Sequence, residues 1–244
     1  MDWNDRGIVL AARPHGESGL IVSLLTREHG RHAGLVRGGA GKARALYEPG
    51  NVVAAIWRGR LSEHLGSWSC EPVAWTAARL IDDPLRLACL ASACAVAETA
   101  LPEREPHAGA FDGMLALIEA FEGPVWDAAY VRWELGLLSE LGFGLDLSRC
   151  AASGAEEGLA FVSPRTGRAV SLLAGEPFRD RLLTLPGFLV GLGGGGKEEV
   201  AQGLALTGYF LERHVLAPHH RPLPAARTRF VDRFQSTSTI SSDP

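Results

Sequence analysis

The stretch VRGGAGKARALYEPGN, residues 36–51, decides between two folds. Its clustered glycines, Gly-Lys pair and basic flank approximate a phosphate-cradling loop, which needs a buried strand before it and a helix after it. The same residues also suit a basic turn between strands of a small barrel. The spacing G-x-x-x-x-G-K-[ST] separates the two readings. Counting back from Gly41-Lys42, the first glycine position holds Val36, and the hydroxyl position holds Ala43, which has no oxygen to offer a magnesium ion.

Outward from this stretch the pattern is β. The runs 7–13, 18–26, 31–38, 50–60 and 65–73 are short and apolar or alternating, and Gly, Pro, Asn and His-Gly breaks separate them. Five short strands in about 75 residues predict a five-stranded OB-fold barrel. Beyond it the period becomes helical. Asp82-Asp83-Pro84 offers an acidic cap with proline near the first helical position, opening a helix to about Ala100. Residues 107–121 form a second helical run. A third follows Pro124, with Trp126, Tyr130, Trp133, Leu137 and Leu141 on one apolar face. Residues 159–175 read as a hairpin turning at Ser-Pro-Arg-Thr-Gly, and helical signals return at 176–185 and 197–216.

The expected class is therefore α+β and multidomain. An OB-fold barrel over 1–79 precedes a helical domain over 80–235, which carries a small β-hairpin-like insertion at about 146–175. The Ser/Thr-rich residues 236–244 read as a disordered tail. The chain has 244 residues, 46% apolar and 21% charged, enough for a core without disulfide staples. No run of about 18 apolar residues predicts a membrane span. The polar start MDWNDRG does not resemble a secretory signal, so a cytoplasmic protein with reduced thiols is expected. Cys89 and Cys94 fall in an apolar run and read as small core residues.

The net charge of −4 conceals an asymmetry. Lys and Arg against Asp and Glu count ten to seven over 1–81, four to fourteen over 82–157 and ten to seven over 158–244. An acidic middle therefore separates two basic ends, which keeps a polyanion partner in play despite the acidic whole. In residues 27–60, Arg27, Arg31, Arg37, Lys42, Arg44, Arg58 and Arg60 face only Glu28 and Glu48. Gly38, Gly39 and Gly41 leave amides exposed for close approach to a phosphodiester backbone. Tyr47 and Trp57 are candidate stacking surfaces, although Trp57 also suits a barrel core.

Other motifs are weaker. Gly191, Gly196 and Lys197 match the phosphate-loop spacing, but Glu198 takes the hydroxyl position, so residues 191–198 read as a flexible linker into a helix. A hydrolase using Lys197 is the alternative they leave, and an adaptor binding only proteins is another. Cys150 is followed by Ser153 where a CxxC partner would stand, so no metal or other cofactor is expected.

Five segments, 7–42, 46–66, 132–154, 161–171 and 182–191, together resemble the bacterial RecO recombination-mediator family in order and spacing, in an alphaproteobacterial-like version. The resemblance implies a non-enzymatic part in DNA repair and recombination. Family members bind single- and double-stranded DNA and anneal complementary strands. They contact the acidic tail of single-stranded-DNA-binding protein and, with RecR, help load RecA. The basic barrel positions Arg37, Lys42, Arg44, Arg58 and Arg60 are the expected phosphate contacts. Arg132, the basic residue of the third helix, is the expected rim of a groove for the partner tail. Arg221, Arg227, Arg229 and Arg233 are a candidate second DNA contact. Some members hold zinc with four cysteines in the insertion, a set this chain lacks.

Overall fold

A computed structural model describes residues 1–61 and 64–240, without the side chains of 238–240, and divides them into two compact units, Met1–Ile118 and Glu119–Pro244. In the first unit, β1 (Asp2–His15), β2 (Gly19–Thr26), β3 (Gly30–Val36), β4 (Val52–Arg58) and β5 (Gly66–Ala74) close a barrel in the order β1-β2-β3-β5-β4. Closure needs one strand to serve two neighbours. The first half of β1 pairs with β4 and most of its length with β2, and the β1–β2 register shifts between Val9 and Ala11. Such an irregularity bends a strand round a barrel corner. The parallel pairs Gly34↔Gly66 and Leu35↔Ser67 join β3 to β5.

Alternation sorts the strand side chains. Along β4, Val53, Ala55 and Trp57 are buried, while Ala54, Ile56 and Arg58 are exposed. With Val9, Val22, Leu24 and Trp68 the inward residues form the barrel core. Gly34 is required there, because a Cβ would stand 2.6 Å from the Trp68 ring. The opening stretch ends in a 3-10 turn, Lys42–Tyr47, that tucks Leu46 and Tyr47 into this core. Buried Asn51 holds the turn, donating from Nδ2 to the Ala45 and Leu46 carbonyls and accepting from the Ala77 amide.

Helix α1 (Thr76–Arg79) is a single turn. Helix α2 (Pro84–Ala100) starts as expected, with the Asp83 side chain accepting from the Leu85 and Arg86 amides and proline in the first turn. It packs on β1 and buries Cys89 and Cys94. Helix α3 spans Ala108–Ala120. The first unit runs well past residue 79, because α2 and the residues after it are tied to barrel arginines. Arg31 donates to the Leu101 carbonyl and to Glu103 at 3.2 Å, and Arg27 makes two 3.1 Å bonds to Asp112.

In the second unit, α4 (Trp126–Glu140) buries Trp126, Tyr130, Trp133 and Leu137, the face its spacing predicts. The expected hairpin is present as β6 (Leu159–Val162) and β7 (Ala169–Ser171), followed by the short helix α5 (Leu172–Gly175). A third strand, β8 (Leu183–Thr184), pairs with β6 and replaces the end of the helix expected over 176–185, where a 3-10 turn covers Glu176–Arg181. Sheet pairing with Phe161 and Val162 outweighs local helical propensity there. Helix α6 (Lys197–Phe210) runs on into a π-helical turn, Leu211–Leu216, and packs against α4 and α7 (Ala225–Ile240). Helix α7 takes in residues 236–240, which composition assigns to a disordered tail. The Ser236 and Thr237 hydroxyls donate to carbonyls one turn back, on Asp232 and Phe234. Residues 241–244 of that tail lie outside the described residues.

Candidate nucleic-acid interface

The outward side chains of β3, β5 and β4 lie in rows across the barrel. Register places Leu35, Ser67 and Arg58 side by side, and Ser69 beside Ile56 in the next row. Arg37 follows directly after β3. These residues line a surface cleft of about 300 Å³ backed by Trp68. A second cleft of about 500 Å³ continues from it, sharing Ile56 and Ser69 and extending to Arg6, Glu71 and Val73. Of the five expected phosphate contacts, Arg37 and Arg58 are thus brought to one cleft.

The other three flank it in sequence rather than lining it. Lys42 and Arg44 are exposed on the 3-10 turn, and Arg60 is exposed just beyond β4. The Met1 nitrogen donates to the Gly59 carbonyl at 2.9 Å, which fixes the start of β1 beside the end of β4. None of the five basic side chains has a carboxylate partner among the described contacts.

Three other barrel arginines, Arg13, Arg27 and Arg31, are paired with carboxylates, whereas Arg6 is exposed on β1. Arg31, 9% exposed, lies 3.2 Å from Glu103 and 3.6 Å from Glu98. Arg13 lies 3.5 Å from Glu98, and Arg27 is shared by Asp112 and Glu28. Part of the acidic middle of the chain therefore cancels charge on one part of the barrel, and cations elsewhere on it stay free. The hydrogen bonds to Asp112 and Glu28 raise the Arg27 pKa, and the Arg27 bond lowers that of Asp112.

The expected stacking surfaces are not available. Trp57 is 0% exposed and donates its indole N–H to the Ala33 carbonyl at 3.3 Å. Tyr47 is 5% exposed in the same core, where burial, and then Cys70, pushes its hydroxyl up to about 12. Alternation along β4 sends Trp57 inward whenever Arg58 points outward, so the neighbours cannot share a surface.

In the second unit, Arg132 is exposed, donates to the Phe188 carbonyl at 3.1 Å and lies over the Phe188 ring at 5.4 Å. Arg227 leaves the candidate second DNA contact, because it is 4% exposed and bound to Glu134. Arg229 and Arg233 remain exposed one turn apart on α7. The glycine-rich loop follows a 3-10 turn rather than a strand, and Glu199 beyond the loop accepts the Gly187 amide ahead of it at 2.8 Å. Cys150 is buried, and its sulfur accepts from the Ser153 and Ser171 amides. Among the described residues no group of three or more His, Cys, Asp or Glu side chains is placed to hold a metal ion.

Comparison with known proteins agrees with this architecture. A family model described as recombination protein O, N terminal, matches residues 1–74, and its C-terminal counterpart matches 81–222. The chain is similar to a DNA repair protein RecO of Rhodospirillum centenum, at 61% identity over 99% of this chain and 98% of the relative. It is 57% identical to one from Rhodospirillum rubrum, over 98% of both chains. A third, from Phenylobacterium zucineum, is 54% identical over 98% of this chain and the whole of the relative.

Proposed function

This chain belongs to the RecO family of non-enzymatic DNA-repair recombination mediators, and from that premise we propose that its barrel grips DNA phosphates through Arg37, Lys42, Arg44, Arg58 and Arg60. The carrying observation is the division of charge in the first unit. Glu98, Glu103 and Asp112 occupy Arg13, Arg27 and Arg31, and the five proposed contacts stay exposed without an ion-pair partner among the described residues. Free cations beside backbone amides suit a sequence-independent polyanion site. Screening phosphate charge is also what annealing two strands requires, so single- and double-stranded DNA are both proposed ligands.

The proposal extends to partners. With RecR, the protein helps load RecA onto DNA coated by single-stranded-DNA-binding protein, in the cytoplasm and at the nucleoid. Arg132 is the proposed cation for the acidic tail of that coating protein, since one guanidinium nitrogen is spent on Phe188 and the group stays exposed. Arg132→Glu is expected to abolish binding of a tail peptide and leave naked-DNA affinity intact; unchanged peptide binding removes the site. For the barrel, fluorescent oligonucleotides titrated at several salt concentrations are the test. Steep salt weakening supports the phosphate track, and a flat response at low salt favours an adaptor that binds only proteins.

A further inference from the structure

We infer that the cleft between Arg37 and Arg58 receives one unstacked nucleobase, so that the barrel reads whether a strand is unpaired as well as where its phosphates lie. This rests on the DNA-binding reading above and names what the site takes besides phosphate. A pure phosphate site needs cations and amides. This cleft has more. Besides the two arginines its lining includes the aliphatic Leu35 and Ile56, and Ile56 remains 39% exposed although it sits in the middle of β4. The register puts Ser67 between Leu35 and Arg58, and Ser69 beside Ile56, so two serines of β5 lie between the two aliphatic side chains, and the Ser67 hydroxyl donates to the Arg58 carbonyl at 3.5 Å. The volume of about 300 Å³ is at the small end for a ligand pocket.

The aromatic rings that a single-strand barrel would ordinarily offer are withdrawn. Trp57 and Trp68 are 0% and 5% exposed. A base in this cleft would therefore lie against the aliphatic carbon of Leu35 and Ile56, with the guanidinium groups held to the adjoining phosphates. The Ser69 hydroxyl can both donate and accept, so it would meet the edge of any base without selecting one. Bases inside a duplex keep their faces stacked and cannot enter.

The test compares a thymidine oligonucleotide with an abasic strand of the same length and charge, using the full chain and fluorescence anisotropy. The intact protein is expected to hold the base-bearing strand about fivefold tighter, the low end for one stacked base. Ile56→Ala and Leu35→Ala are expected to shrink that preference to about twofold or less. Arg37→Ala with Arg58→Ala is expected to weaken both strands alike. Equal binding of the two strands by the intact protein, or a preference untouched by Ile56→Ala and Leu35→Ala, overturns the base cleft and leaves the phosphate track standing. Failure to hold either strand at low salt overturns the DNA-binding reading itself.

Discussion

Arg227 on α7 and Glu134 on α4 form a two-pronged ion pair, Nε to Oε1 at 2.7 Å and Nη2 to Oε2 at 2.9 Å, with 4% and 0% of the residues exposed. The Tyr130 hydroxyl also donates to Glu134, Thr207 bonds it from α6, and the Leu204 carbonyl accepts from Arg227. Burial alone would lower the Arg227 pKa, and Glu134 more than reverses that. The pair anchors α7, which lies beyond the residues the C-terminal family model matches.

Breaking this pair from one side strands a buried charge, at a cost of about 3–5 kcal/mol. Arg227→Ala is therefore expected to lower the melting temperature by roughly 10 °C, at about 2–4 °C per kcal/mol for a chain of this size. The double variant Glu134→Leu with Arg227→Met is expected to melt closer to the parent, because neither charge is left alone. Calorimetry on the three proteins checks this.

Protonation of the barrel core is expected to limit acid stability. His32 is 4% exposed among Trp3, Trp57 and Trp68, and neither ring nitrogen has a hydrogen-bond partner among the described residues. Burial, then Arg104 and His29, pushes it down to about 4 from an ordinary 6.5, against an opposing pull from Glu103. The unfolded chain thus takes up this proton first. Its contribution is intact above about pH 6.5 and declines as pH falls toward about 4, by up to about 1.4 kcal/mol per pH unit. His32→Phe should flatten that limb in thermal melts taken from about pH 7.5 to about pH 4.5.

Charge removal should sort the arginines by their partners. Arg37→Ala with Arg58→Ala is expected to lower the log–log salt slope for single-stranded DNA by about 1.4, two phosphates at about 0.7 each. Arg27→Ala is expected to leave the slope unchanged, because Asp112 and Glu28 already hold that guanidinium. Anisotropy titrations across salt concentrations separate the two.

One acidic residue should restrain binding. Register sets Asp2 on β1 directly across from Arg58, and Asp2 is exposed. Removing a surface carboxylate opposite a cation changes its interactions by about 0.2–1 kcal/mol. Asp2→Asn is expected to tighten single-strand binding about twofold to threefold at low salt. The gain should vanish at high salt as screening takes over.

Much of the barrel and the helical face was legible in the residues. Alternation placed the strands, Asp83-Pro84 announced the start of α2, and the Trp126-to-Leu137 spacing marked the buried side of α4. These are local signals, each carried within a few residues. The site was legible only in part. Arg37 and Arg58 were visible as basic residues, but Leu35, Ile56, Ser67 and Ser69 carry no motif and become neighbours only through strand register. Arg31 and Arg227 looked as free as the others, since their partners lie 72 and 93 residues away.

The chain by itself determined which segments become strands and helices, ruled out a phosphate loop at Val36 and Ala43, and set the overall distribution of charge. Tertiary structure alone decided which of those charges remain available. Pairing is a matter of distances between residues far apart in the chain, and only barrel closure and helix packing set those distances.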